Sequence, residues 1–241
     1  MTLYLVRHAR TRWSGVRYCG RTDLPLCDEG LAEARAAAAW LSARGGRPSR
    51  IVSSPRARAM ESARLVAAPW ERAVETDARL READFGDAEG LTFAELERGW
   101  PDLARRLAVD DLDIDWPHGE RARDLSARVA EFWRERTESD TSEEDLVVVT
   151  HGGPARHLMT LAGAASPAAF APAEIVVLER AVAESPAVLA PAQIVAHERM
   201  ATASHAALAP AEIVVLERVP EWRVVARWRP SGSERGMEVS R

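Results

Sequence analysis

Short apolar runs alternate with longer amphipathic stretches over the first two thirds of the chain. Residues 3–6 (Leu-Tyr-Leu-Val) read as a strand stopped by Arg7-His8. A polar, glycine-containing loop follows to about Cys27. Asp28 is placed to cap an alanine-rich helix running to about Arg44 and ended by Gly45-Gly46. Ile51-Val52 is a minimal strand, and Ser54-Pro55 reads as a cap with proline at the first helical position of a helix to about Ala67. After a loop at 80–90, Thr92-Phe-Ala-Glu95 has the pattern of a capping box. Further helices are expected at 101–107 and 121–136, separated by the acidic stretch 110–115. Residues 146–149 form a continuous apolar run, as expected of a strand buried on both faces, and the chain then enters a helix to about Leu161. This alternation implies an α/β fold around a largely parallel sheet.

The periodicity changes in the last third. Pro172, Pro191 and Pro210 are spaced by 19, and Ala-Pro-Ala-Glu-Ile-Val-Val-Leu-Glu-Arg at 171–180 recurs letter for letter at 209–218. A degraded copy occupies 190–199, with His197 where the others have Leu. The rest of the chain lacks this period, so a solenoid is not implied. The expectation is one domain over 1–229 carrying about 38 extra repeated residues at 171–208, which leaves an ordinary domain of 203 residues. One copy serves as the parent strand, and the sequence does not say which. The polar stretch 230–241 is expected to be disordered.

Both strands of the apolar-run type end in histidine, at Arg7-His8 and Thr150-His151. Ligands of open α/β sheets collect at the carboxyl ends of strands, so parallel neighbours would bring His8 and His151 face to face in one crevice. The competing reading is a pair of unrelated loop histidines. Gly152-Gly153 after His151 opens a helix whose amides are available to an anion.

Composition narrows the chemistry. All 32 basic residues are Arg; the chain has no Lys and no Asn. That excludes Schiff-base lysines, pyridoxal-phosphate lysines and Walker-A lysines. Any anion must be held by Arg, His or backbone amides, and guanidinium forks suit phosphate. A net charge of -5 argues against bulk-charge binding to nucleic acid. Cys19 and Cys27 read as free thiols of a reducing compartment. No run is long enough to cross a membrane, and the amino terminus enters a strand rather than a leader. The expectation is a cytoplasmic protein without membrane or nucleic-acid partners, with homo-oligomerisation left open.

Four motifs occur in order: Leu5-Val-Arg-His-Ala-Arg-Thr11, Ser53-Ser-Pro-Arg-Ala-Arg-Ala59, Leu80-Arg-Glu-Ala-Asp-Phe-Gly86 with Glu89-Gly90, and Thr150-His-Gly-Gly153. Together they resemble the histidine phosphatase superfamily, also called phosphoglycerate-mutase-like. Residues 17–26 (Arg-Tyr-Cys-Gly-Arg-Thr-Asp-Leu-Pro-Leu) with Gly30 further resemble its α-ribazole phosphatase and cofactor-dependent mutase branches, and the chain as a whole resembles most the α-ribazole and broad-specificity phosphatase branch. The resemblance implies a three-layer α/β/α sandwich and a phosphomonoesterase acting on a small phosphorylated metabolite, without cofactor or metal. By position it makes His8 the phosphorylated nucleophile and Glu82 the general acid and base. Arg7, Arg58 and His151 would line the phosphate pocket, with Ser14 and Gly152 beside them.

Several positions depart from the family pattern. Ala9 replaces the usual glycine, Arg10 the usual acid or amide, and Ser14 the frequent asparagine. Arg10 would add positive charge at the mouth and favour a second anion on the substrate. Cys19, Arg21, His118 and Glu120 are further candidates for substrate contact. His157, His197 and His205 are read as structural, and the tryptophans as core and lid packing. A mutase is one alternative, but only about 38 residues separate Glu82 from Glu120, where the resemblance implies a longer basic insertion in mutases. A catalytically weak interaction protein using an exposed sheet edge is the other.

Overall fold

The computed structural model describes residues 1–45, 47–109, 111–138, 144–164, 170–180 and 222–230. Its centre is a six-stranded sheet of β1 (Thr2–Arg7), β2 (Arg50–Ser53), β3 (Val74–Thr76), β4 (Leu146–Thr150), β5 (Ile175–Arg180) and β6 (Trp222–Trp228), in the order β3-β2-β4-β1-β5-β6. The β3–β2, β2–β4 and β4–β1 pairings are parallel, and the β1–β5 and β5–β6 pairings are antiparallel. The sheet is therefore mixed, its parallel part made by the amino-terminal strands.

Alternation along β1 sends side chains to two separate cores. Leu3 and Leu5 pack with Phe132 and Leu158, whereas Tyr4 and Val6 pack with Leu41 and Ala63. The first group belongs to α5 (Ala122–Trp133) and α6 (Gly152–Leu161), the second to α1 (Asp28–Ala43) and α2 (Ala57–Ala67). Helices thus cover both faces. Burial on both sides explains why β4 is wholly apolar up to Thr150, with all five residues buried. Between β3 and α5 lie α3 (Phe93–Gly99), which opens with the expected Thr92–Glu95 capping box, and α4 (Pro101–Ala108).

Two caps differ from expectation. Cys27, not Asp28, is the cap of α1; Asp28 and Glu29 instead place negative charge in the first turn. In α2 the helix begins at Ala57 rather than Pro55. The amide of Ala57 donates to Asp23 Oδ1 at 2.7 Å, so a loop aspartate does the capping. Ser54 is engaged elsewhere, as described below. β3 was not legible in the sequence because Val-Glu-Thr is a three-residue, largely exposed edge.

The first copy of the repeat supplies β5, paired with β1 on one side and β6 on the other. The second and third copies lie outside the described residues, as does the 231–241 tail. No helix among the described residues is long and apolar enough to cross a membrane.

Candidate active site

β1 and β4 are parallel neighbours in register, Arg7 opposite Thr150, so the residues that follow them meet. The His8 amide donates to the Thr150 carbonyl at 2.8 Å, and the rings of His8 and His151 lie 4.9 Å apart at 61°. Both histidines are buried.

The hydrogen-bond network assigns the tautomer of His8. His8 Nδ1 lies 2.7 Å from the carbonyl oxygen of Ala9, which can only accept, so Nδ1 carries the proton and Nε2 the lone pair. Arg58 Nε donates to that lone pair at 3.3 Å. For His151, Ser54 Oγ accepts from the Arg56 amide at 3.4 Å and lies 2.8 Å from Nε2. The hydroxyl can donate to Nε2 or accept from it, so this contact leaves the tautomer of His151 open, and Nδ1 is the ring nitrogen that faces no protein partner. That atom and Arg7 Nε are buried polar atoms without a hydrogen-bond partner in the protein.

Burial pushes the pKa of His8 well below the ordinary 6.5, and the charges of Arg58 and Arg7 push it further; the bond to Ala9 opposes them. His151 is held down in the same way by burial, Arg58, His8 and Arg7. Both are neutral imidazoles at neutral pH.

Arg58 is fully buried and held on four sides. Besides His8 it donates to the carbonyls of Thr22 (2.8 Å), Cys19 (3.1 Å) and Gly20 (2.8 Å). The opposite face of the same loop is gripped by Glu89, which accepts from the amides of Gly20 (3.1 Å) and Arg21 (2.6 Å) and from Thr22 Oγ1 (2.9 Å). Peptide dipoles are thereby aligned between a carboxylate and a guanidinium. Arg7, on the other side of His8, donates through Nη1 to the carbonyl of Phe170.

Glu82 reaches the same place from the loop after β3. Its carboxylate accepts from the amides of Ala83 (3.1 Å) and Gly153 (3.3 Å). The turn that follows requires glycine: Gly86 has φ +53°, and a Cβ there would lie 2.1 Å from the carbonyl oxygen of Pro117.

A cavity of about 350 Å³ opens above these groups, with Arg7, His8, Glu82 and Gly152 on its floor. Ser14 and Cys19 line it as well. Ser14 Oγ accepts from the Thr11 amide at 2.9 Å, which fixes a turn, and burial pushes the Cys19 thiol up, so it stays protonated. The upper walls are aromatic. Tyr18, Phe85 and Trp116 pack on one another at 4.2 to 5.8 Å, and Trp13 and Phe170 complete the rim. Trp13 and Trp116 therefore line the cavity, and Trp116 packs against two of the hydrophobic clusters as well. His157 also lines the cavity, although the sequence marked it as structural.

A second recess of about 350 Å³ shares Glu82 with the first and collects Arg21, His118 and Glu120. Each has a partner: Arg21 with Asp84 at 3.5 Å, His118 with Asp87 at 2.7 Å, and Glu120 with Arg128 at 2.7 Å. Arg10 corrects the sequence reading. It does not line either cavity, because its Nε donates to Glu33 Oε1 at 2.6 Å and turns the guanidinium onto α1. Ser54 and Glu89 are the organising residues that sequence reasoning missed. Ser54 was hidden in a capping pattern, and Glu89 stood within a motif without a partner to explain it.

The profile of the histidine phosphatase superfamily (branch 1) matches residues 3–184. The chain is 38% identical over 161 residues to a bifunctional protein of Mycobacterium tuberculosis, covering 66% of this chain. It spans only 43% of that relative's length. It is 37% identical over 161 residues to the glucosyl-3-phosphoglycerate phosphatase of the same organism, covering 63% of this chain and 70% of the relative. A solved structure of a mycobacterial glucosyl-3-phosphoglycerate phosphatase, in complex with VO3, superposes with a TM-score of 0.65 at 31% identity. That match covers 74% of this chain and 92% of the other.

Proposed function

The chain belongs to the histidine phosphatase superfamily, and within it we propose that it is a metal-independent phosphomonoesterase acting through a phosphohistidine on His8. The observation that carries this reading is the tautomer of His8. With Nδ1 committed to Ala9, the Nε2 lone pair is directed at Arg58 between two arginines, and Glu82 lines the same cavity.

In the first half-reaction, Nε2 of His8 attacks phosphorus and the P–O bond to the leaving alcohol breaks. Arg58 gives up its bond to Nε2 and turns its donor toward the phosphoryl oxygens. Arg7 Nε is an unspent donor next to the nucleophile, and His151 Nδ1 is a second when it carries the ring proton; both suit the charge that develops on those oxygens. Glu82 in its acid form passes its proton to the leaving oxygen. In the second half-reaction Glu82 as carboxylate takes a proton from water. The hydroxyl attacks phosphorus, the P–N bond breaks, and neutral His8 returns with inorganic phosphate as product.

The substrate is a small phosphorylated metabolite, with α-ribazole phosphate and sugar phosphates as the classes to test. A 350 Å³ cavity accommodates one small molecule. The similarity to a phosphatase of a sugar-bearing phosphoglycerate supports that range. The test is hydrolysis of p-nitrophenyl phosphate by purified protein in the presence of EDTA. Turnover is expected, and His8→Ala should abolish it; activity that survives this substitution overturns the mechanism.

A further inference from the structure

Glu174 is a fully buried carboxylate to which the reaction assigns no part. It closes the turn that leads into β5. Its amide donates to the Ala171 carbonyl at 3.0 Å, and its Oε2 accepts from the Ala171 amide at 2.6 Å. Main chain and side chain thus hold the same residue from both directions. The turn needs that grip, because Ala173 sits at φ +56°, a left-handed conformation that alanine disfavours. Oε1 lies 3.1 Å from Nε of Arg229, just after β6, an ion pair whose angles are not those of a hydrogen bond. Three bonds run from residues 170–174 to the end of β1. The Glu174 carbonyl accepts from the Arg7 amide at 3.0 Å, and the Ala173 amide donates to the His8 carbonyl at 3.2 Å. The third is the bond from Arg7 Nη1 to the Phe170 carbonyl.

We propose that Glu174 is a positioning residue for Arg7, setting the direction of its guanidinium through the 170–174 turn. The inference rests on the phosphatase reading, which gives Arg7 its role on the phosphoryl oxygens. With Nη1 spent on Phe170, the guanidinium is pinned at one corner and its Nε is left open. The pinned group lies against Gly152, where a Cβ would stand 3.8 Å from Arg7 Cζ and 3.8 Å from Glu82 Oε2. The open donor is therefore held beside the carboxylate assigned to the leaving oxygen, and the place of the Phe170 carbonyl decides where it points. The Glu174 side chain acts at one remove. It keeps Ala173 in its strained conformation and so keeps Phe170 within reach of Arg7. What this role demands is an acceptor that reaches the Ala171 amide; the charge is secondary.

Calorimetry with orthovanadate, a mimic of the transferring phosphoryl group, tests this in the full chain. Glu174→Gln keeps an oxygen that reaches the Ala171 amide, whereas Glu174→Asp keeps the charge but falls one methylene short. The Glu174→Gln protein is expected to bind the anion within about twofold of wild type. The Glu174→Asp protein should bind it about tenfold more weakly, the scale of one misaligned charge-assisted bond. With Arg7→Gln already in place, Glu174→Asp should cost less than about twofold more, because no guanidinium is left to misplace. Circular dichroism checks that each variant is folded, and Glu174→Ala takes the place of Glu174→Asp should the latter not fold. Unchanged affinity in Glu174→Asp, a loss shared by Glu174→Gln, or a tenfold loss that persists beside Arg7→Gln overturns the role. Failure of the phosphatase reading would appear separately, as wild-type protein that binds vanadate yet leaves p-nitrophenyl phosphate intact.

Discussion

Glu82 and Gly153 fit so closely that residue 153 has no room for a side chain: a Cβ there would lie 2.5 Å from Glu82 Oε1. The contact is with the mobile end of a side chain, so a methyl group would displace the carboxylate rather than break the helix. Gly153→Ala should therefore fold, with stability changed by less than about 1 kcal/mol. Its kcat/KM on alkyl phosphates should fall at least about tenfold, because Glu82 leaves the position next to the leaving oxygen. Thermal unfolding and steady-state kinetics on the same sample check both halves.

Removing the proton from Glu82 should matter in proportion to the leaving group's need for it. For Glu82→Gln, a loss of about 10² to 10⁴ is expected on an alkyl phosphate, and a much smaller loss on p-nitrophenyl phosphate. Equal losses on both substrates would remove Glu82 as the general acid.

Three histidines that line or adjoin the cavity have depressed pKa values, His8 and His151 strongly and His157 through burial and the nearby Arg156 and Arg128. The folded state keeps them neutral while the unfolded chain protonates them near 6.5. Their stabilisation is full above 6.5 and lost as pH falls toward the folded values. Urea unfolding should show stability declining between about pH 6.5 and 5.5. The slope approaches about 1.4 kcal/mol per pH unit for each histidine that gains a proton only on unfolding. His151→Gln should lower that slope by up to one proton; an unchanged slope would show that His151 does not contribute.

Because 171–180 and 209–218 are identical, deleting 171–208 or 181–218 produces the same chain. It keeps the β5 sequence and joins it to β6 through Val219, Pro220 and Glu221. Arg180 pairs with Trp222, so the shortened connection is a three-residue hairpin, a common length. Thr2 pairs with Glu179, which places that turn at the start of β1, while His8 follows its other end. A six-residue strand, roughly 20 Å long, separates the two. Phosphatase activity of the deletion protein is expected within about threefold of the full chain; a folded but inactive protein would tie the repeat to the site.

Much of the sheet could be read from sequence because the strands that build the site are apolar runs with abrupt polar stops. The Arg7-His8 and Thr150-His151 endings point to one shared crevice if their strands are parallel neighbours, and the pairing of β1 with β4 meets that condition. What escaped was anything defined by a partner distant in sequence. Ser54 has the chemistry of a cap, and only the approach of His151 from 97 residues away gives its hydroxyl another use. Arg10 stands beside the nucleophile in sequence, yet Glu33 on α1 draws its side chain aside. The aromatic walls were obscure for a related reason. Tyr18, Phe85 and Trp116 come from three separate segments and share no spacing that reading along the chain could detect.

The loop between Glu89 and Arg58 has a consequence for how the nucleophile is kept in register. Glu89 touches neither histidine, yet it holds the amides of Gly20 and Arg21, whose loop carbonyls hold Arg58, whose Nε meets His8. Alignment of the reacting nitrogen is thus inherited through a peptide loop from a carboxylate on its far side. Deuterium uptake at the Gly20 and Arg21 amides becomes a remote gauge of it, slow while the relay is intact and fast once any link slackens.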